Sequence, residues 1–404
     1  MNHQFFFRGV LLLLTVAFFL NGYFLESLGI IYAGEGGSPL HKIHLYSYLV
    51  MMLFVCLFLK FELNYIIIRM GDFFKVWLVS FAFLIFVIFY GIVLFGTSGM
   101  AYLVNTFLSP LLLLPIICVM SIEQKQFIVK FIAYLLLLNC CVAIIEYAFN
   151  TRMVNVEFSS FAYFRSTAFL THPLNNALIS VALLPYLLHR TVLPTVFYFG
   201  ISILALFAFG GRAALGIYLL MLTLIALPSL YRFVTSGVRM NKLTFSLLCF
   251  FSYFFFIALV IVVFESGIGD RILNKLHMDG SASARVDVFY ILELMSPEEW
   301  LFGATDNLRG AIDIYLGISV IENYIIGWIF TLGVVGTVPL LISFLSPLLF
   351  FIKKGEWSTR VAVVGFLIVS ITNNSLTTKT PILLFLYLIL LINYFIKKEQ
   401  EPHI

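Results

Sequence analysis

The chain has 404 residues, of which 62% are hydrophobic and only 11% charged, with a formal net charge of +4 at pH 7. A mean hydropathy of +1.06 is more apolar surface than a soluble core absorbs, so lipid is the solvent and a water-soluble enzyme is excluded. The small positive charge gives no sign of a nucleic-acid partner, and we expect none.

Crossing the hydrocarbon takes about 20 apolar residues. On that criterion the sequence predicts an all-α polytopic membrane protein with about twelve transmembrane helices. They fall near 7–25, 45–61, 76–95, 102–120, 127–148, 173–189, 194–209, 213–230, 243–264, 319–350, 360–375 and 381–396. The first run lacks a small-x-small cleavage site and reads as a retained span. Residues 62–75 are amphipathic and too charged to cross, which places them at the interface. No repeat is visible, so 1–404 reads as a single membrane domain. The one large extramembrane loop is 265–318. Within it, 285–296 has helical apolar spacing, Ser296-Pro297-Glu298-Glu299 reads as a helix start, and 306–310 reads as a turn. The five cysteines, Cys56, Cys118, Cys140, Cys141 and Cys249, lie in apolar runs and read as small buried hydrophobes.

Loop charges set the orientation. With the N-terminus inside, the cytoplasmic side carries most of the basic residues, among them Lys60, Arg69, Lys75, Arg190, Lys353, Lys354 and Lys397. Both termini are then cytoplasmic. The outer side carries Lys42, Lys275, Lys379 and six arginines: Arg152, Arg165, Arg212, Arg271, Arg285 and Arg309. Arginine on the translocated side runs against the usual bias and calls for an anionic partner. A guanidinium grips phosphate bidentately, which suits a diphosphate better than lysine does.

Arg165 precedes a span that opens at His172-Pro173. Gly210-Gly211-Arg212 makes a tight turn between two apolar runs, where backbone can approach a ligand closely. Arg212 fits two roles there, a cation facing a polar cavity and a side chain snorkelling to lipid headgroups. Arg285 lies in the large loop and gains meaning only beside other cations. At the outer end of the tenth span come Glu322 and Asn323, followed by Gly333-Val334-Val335-Gly336. Glu322 fits a general base or positioning acid and equally a carboxylate complementing a helix N-terminus. Asn323 also fits a polar cap, and His172, Asn175 and Asn176 fit structural roles between helices. No spacing suits a metal, and no nucleotide or phosphate-loop motif occurs.

In this order and topology, Arg165, His172-Pro173, Gly-Gly-Arg212, an arginine in a large outer loop, and Glu322-Asn323 nine residues before Gly-x-x-Gly resemble the O-antigen polymerase and ligase superfamily. The resemblance runs from about the fifth to the tenth span. It implies a GT-C-like glycosyltransferase of the bacterial inner membrane that works at the periplasmic face with a lipid-diphosphate-linked donor and no metal or cofactor. The implied substrate is undecaprenyl-diphosphate-linked oligosaccharide. A chain-length regulator and a flippase of the same pathway are the implied candidate partners besides the bilayer. Arg165, Arg212 and Arg285 would bind diphosphate or glycan, Glu322 would be catalytic, and His172 and Asn323 would support them. Ligases of the superfamily carry a histidine where this chain has Glu322, which favours a polymerase. An O-antigen ligase acting on lipid A core is the alternative within the class. A lipid-linked oligosaccharide flippase is the alternative outside it, disfavoured by the lack of repeats and of acids at span centres other than Glu146.

Overall fold

The computed structural model describes residues 2–32, 38–154, 163–170, 172–237, 241–265, 289–316, 321 and 323–400. Among these it is all helical. In chain order the helices are α1 (Asn2–Phe19), α2 (Gly22–Ser27), α3 (Leu45–Lys60), α4 (Leu63–Met70), α5 (Phe73–Phe95), α6 (Ser109–Cys118), α7 (Ile122–Phe149) and α8 (Pro173–Leu183). Then follow α9 (Thr195–Phe209), α10 (Arg212–Ser236), α11 (Lys242–Glu265), α12 (Pro297–Phe302), α13 (Asp306–Leu316), α14 (Tyr324–Lys354), α15 (Trp357–Ile371) and α16 (Ile382–Gln400).

Each of the twelve apolar segments is helical over most of its length. Among the described residues four helices, α5, α7, α10 and α14, are long and apolar enough to cross a membrane alone, and α3 with α4 makes a fifth if the pair is counted across its 113° bend. Several other apolar runs give shorter helices because their ends are spent on caps and turns, whereas α11 and α16 reach 24 and 19 residues. The run 7–25 divides at Asn21, whose side chain accepts from Phe24 N and starts α2. The run 102–120 begins with a π-helical turn at Leu103–Leu108 before α6. The amphipathic stretch at 62–75 folds as α4, with Ile66 and Met70 buried and Ile68 exposed, followed by a turn at Gly71 and the first residues of α5.

Helix α16 forms the axis of the bundle. Leu383, Leu384, Phe385, Leu388, Ile389 and Leu391 have no exposed surface, as expected of a helix that is apolar all round. It packs against α6, α7, α8 and α14, and α14 packs along α5. Where aromatic side chains carry a polar atom into this core, backbone oxygen often receives it. Trp77 Nε1 donates to Leu111 O at 2.8 Å, and Tyr387 Oη to Phe344 O at 2.7 Å. All five cysteines are free; Cys118 and Cys140 are buried, whereas Cys249 is exposed on α11.

The large loop departs from expectation at one point. Ser296 starts α12 with a full capping box to Glu299, but 306–310 is the first part of α13 rather than a turn. Asp306 heads that helix, where a negative charge is favoured. Helix α12 docks on a break in α14 at Gly333, which has φ +62. A Cβ at Gly333 would stand 2.2 Å from Leu301 O, and one at Gly303 would stand 2.5 Å from Thr331 O. Ala304 N donates to Phe330 O at 2.7 Å across this contact. Gly333 thus lets the loop helix dock on α14, while Gly336 lets the Tyr90 ring of α5 approach it.

Candidate functional site

The segment carrying Arg165 is pinned into the bundle by its backbone. Glu146, near the end of α7 and 2% exposed, accepts N–H groups from Met153 at 2.9 Å, Thr167 at 2.8 Å and Ala168 at 2.9 Å. Ser166 N donates to Ala208 O at 2.9 Å, and Ser166 Oγ to Ala143 O at 2.7 Å. Asn139 Oδ1 accepts from Phe169 N at 3.0 Å, and its amide donates to Asn176 Oδ1 at 2.8 Å. Asn176 in turn donates to Thr167 O and His172 O. Backbone that would be unsatisfied inside an apolar bundle therefore finds partners on α7, α8 and α9.

Arg165 lies against the Gly210-Gly211 turn. A Cβ at Gly210, which has φ +72, would stand 3.0 Å from both Cδ and Nε of Arg165, and one at Gly211 would stand 3.1 Å from Ala177 Cβ. The two glycines let the α9–α10 turn close over the arginine. Arg152 Nε donates to Arg165 O at 3.2 Å, and its guanidinium sits 4.7 Å from the Phe164 ring centroid. Arg212 is the first residue of α10; its side chain lies outside the described part of the structure, as do residues Arg285 and Glu322.

His172 caps α8, its Nδ1 accepting from Leu174 N at 3.3 Å. Burial, and then the nearby Arg165 charge, hold its pKa down at about 4. The same residue lines a cavity of about 360 Å³ with Tyr23, Tyr32, Tyr102, Asn175, Asn374 and Lys379. That volume is within the ~300–1,000 Å³ usual for small-molecule sites. The walls come from four stretches far apart in sequence: α2 and the residues after it, the α5–α6 turn, the start of α8, and the α15–α16 connector. Asn175 Oδ1 accepts from Ser375 Oγ at 2.6 Å, tying α8 to that connector.

Lys379 is the cation of this cavity. Its ammonium donates to Tyr32 O and lies 4.5 Å from the Tyr32 ring centroid. Burial, and then the Lys42 charge, bring its pKa down to about 8, against a smaller opposing effect of Glu26. Behind the wall stands Asn105, which is fully buried in the π-helical turn. Its Oδ1 accepts from His44 N at 2.9 Å and Ser47 Oγ at 2.8 Å, and its amide donates to Lys42 O at 3.0 Å and Tyr32 Oη at 3.3 Å.

Of the residues singled out in the sequence, the structure brings Arg165, His172, Asn175 and the Gly-Gly turn together. Asn323 is the N-cap of α14, accepting from Ile325 N at 3.0 Å. Sequence reasoning assigned no role to Lys379, Tyr102 or Asn105, because their neighbours are distant in the chain. Glu146 was visible as an acid within a span, but its three backbone donors were not. Among the described residues no group of three His, Cys, Asp or Glu side chains gathers at metal-binding distance. Neither the protein-family models nor the curated proteins compared with this chain match it.

Proposed function

We propose that the chain is a metal-independent glycosyltransferase of a bacterial inner membrane, an O-antigen polymerase acting on undecaprenyl-diphosphate-linked repeat units at the periplasmic face. In this reading all twelve apolar helices cross, the fold is GT-C-like, and both termini are cytoplasmic. One observation carries it. A cationic segment built around Arg165 is fixed by buried carboxylate and amide groups, and it adjoins through His172 a cavity lined by amides, hydroxyls and an ammonium. Such expense in buried polar contacts suits a site where charge must be met in a poorly hydrated place.

The chemistry follows from the donor. As the anomeric C–O bond breaks, its electron pair goes to the diphosphate, where negative charge grows. Arg165, with Arg212 and Arg285, stabilises that charge. The acceptor hydroxyl attacks the anomeric carbon from the opposite face with inversion, and Glu322 takes its proton. No protonated acid is needed, since diphosphate is already a good leaving group.

The test is deletion of the gene, with the surface polysaccharide then resolved on a gel. A ladder reduced to one repeat unit, restored by the wild-type chain and not by Arg165→Ala at equal protein level, supports the polymerase. Bare core with accumulated lipid-linked polymer means a ligase, and an unchanged ladder removes the proposal.

A further inference from the structure

The cavity between α2, the α5–α6 turn, α8 and the α15–α16 connector has a lining with its own chemistry. Asn175, Asn374, Thr377 and Thr378 offer amides and hydroxyls, and Tyr23, Tyr32 and Tyr102 offer ring faces. Lys379 adds one ammonium. Among the described residues Lys379 has no carboxylate within ion-pair distance, its contacts being Tyr32 O and the Tyr32 ring. Tyr102 is 8% exposed, and its hydroxyl has no hydrogen-bond partner. Of the buried side-chain atoms left unpaired among the described residues, this is the one that belongs to a residue of the cavity wall. A buried hydroxyl without a partner and a half-buried ammonium that, among the described residues, has Glu26 only beyond ion-pair distance are both costly unless something completes them.

We propose that this cavity is a saccharide subsite, and that it takes a sugar residue carrying an acidic group, held by Lys379. Ring faces of tyrosine cover the apolar face of a pyranose, and the amides and hydroxyls match its hydroxyls. The ammonium matches a carboxylate or phosphate on the sugar by a charge-assisted hydrogen bond. His172 forms the wall shared with Arg165, so a sugar seated here lies beside the cationic segment. In the polymerase reading, on which the choice of glycan rests, this is where the acceptor end of the repeat unit sits. The chemistry of the lining does not depend on that reading, and neither does its test.

The experiment is saturation-transfer NMR on the full chain in nanodiscs, with glucuronate against glucose and galacturonate against galactose. Members of each pair differ at one carbon, carboxylate against hydroxymethyl. The acidic member of at least one pair binds more tightly, and Lys379→Met removes that preference by weakening it about tenfold. Tyr102→Phe weakens binding roughly threefold with the melting temperature unchanged or raised, since it deletes an unpaired hydroxyl. Equal binding of neutral and acidic sugars, an undiminished preference in Lys379→Met, or no binding of any of the four at tens of millimolar overturns the subsite. Should acidic sugar bind as expected while gene deletion leaves the polysaccharide ladder intact, the subsite stands and the polymerase reading falls. A ladder lost on deletion, with no sugar bound, has the reverse meaning.

Discussion

Glu146 and Thr167 meet through a hydrogen bond of 2.8 Å from backbone N–H to carboxylate, and the same oxygen also takes the N–H of Ala168. An acid inside an apolar helix is thereby turned into the anchor of the segment that carries Arg165. Ala168 sits at φ +43, a conformation that costs an L-residue about 1–2 kcal/mol, and the two bonds to Glu146 offset that strain. Glu146→Leu leaves the buried N–H groups of Thr167 and Ala168, and the part-buried one of Met153, without acceptors, and we expect a loss of at least about 2 kcal/mol. Glu146→Gln keeps one acceptor oxygen and is expected to lose roughly 1–3 kcal/mol. Melting of the purified variants measures both. In the polymerase reading, the Gln variant also shortens the polymer at normal protein level, because Arg165 loses its fixed position. Wild-type melting in both variants would mean the segment is held by Ser166 and Asn139 alone.

Asn105 makes a comparable prediction on the other side of the cavity. It joins the α1–α3 connector to α6 through four side-chain bonds, to His44, Ser47, Lys42 and Tyr32. Asn105→Asp keeps the acceptor but turns the amide donor toward Lys42 O and Tyr32 Oη into an oxygen. Asn105→Ala removes everything and is expected to cost about 2–4 kcal/mol, from the unpaired groups it leaves. Thermal denaturation that ranks wild type above Asp and Asp above Ala supports the network. Equal stability of Ala and wild type would show that the connector is held by the His44 and Lys379 contacts instead.

What the sequence makes legible here is the part governed by local pattern. Long apolar runs become helices wherever they occur, so each of the twelve segments is helical over most of its length. Among the described residues four or five helices are long and apolar enough to cross a membrane. Gly210 takes the positive φ that the Gly-Gly turn suggests, and Ser296 forms the capping box that its neighbours spell. The segment 306–310 is helical rather than a turn because Asp306-Asn307 also suits a helix start, and contact decides between the two. Lys379, Tyr102 and Tyr32 form one wall only after three connectors converge, so no window of sequence contains their relationship. Gly333 and Gly336 were legible as a motif but not as a packing contact, since Leu301 lies in another helix.

Gly333 carries a prediction of its own. A Cβ there would meet backbone atoms, Leu301 O at 2.2 Å and Leu301 C at 2.4 Å, on a residue with φ +62. Backbone cannot rotate aside as a side chain does, so Gly333→Ala should detach α12 from α14 and destabilise the loop by more than about 1–2 kcal/mol. At Gly336 a Cβ would meet the Tyr90 ring at 2.8 Å and Leu332 Cβ at 2.7 Å. The ring can shift, so Gly336→Ala should be milder. Limited proteolysis at 289–316 reads the difference: faster cleavage in Gly333→Ala than in Gly336→Ala is expected, and the opposite order counts against the docking argument.

Two histidines give the chain an acid-side limit. His44 and His172 each cap a helix with Nδ1 as acceptor, from Tyr46 N at 3.2 Å and Leu174 N at 3.3 Å. In His44 the other nitrogen faces Leu20 O, which fixes the neutral tautomer with its proton on Nε2. Burial is the main cause that lowers both to about 4 from 6.5, helped by Arg165 at His172 and opposed by the Leu20 carbonyl at His44. A base whose pKa is lower folded than unfolded binds fewer protons in the native state. Its stabilising contribution is therefore complete above about pH 6.5 and is lost as pH falls toward 4, by roughly 3 kcal/mol for each ring at the acid end. Melting temperatures measured from pH 7.5 down to 4 should fall through that window. His172→Asn, which caps without titrating in this range, should flatten about half of the slope. A slope unchanged in His172→Asn would mean that the acid sensitivity comes from carboxylates elsewhere in the chain, and that His172 is free to take up its proton in the folded state.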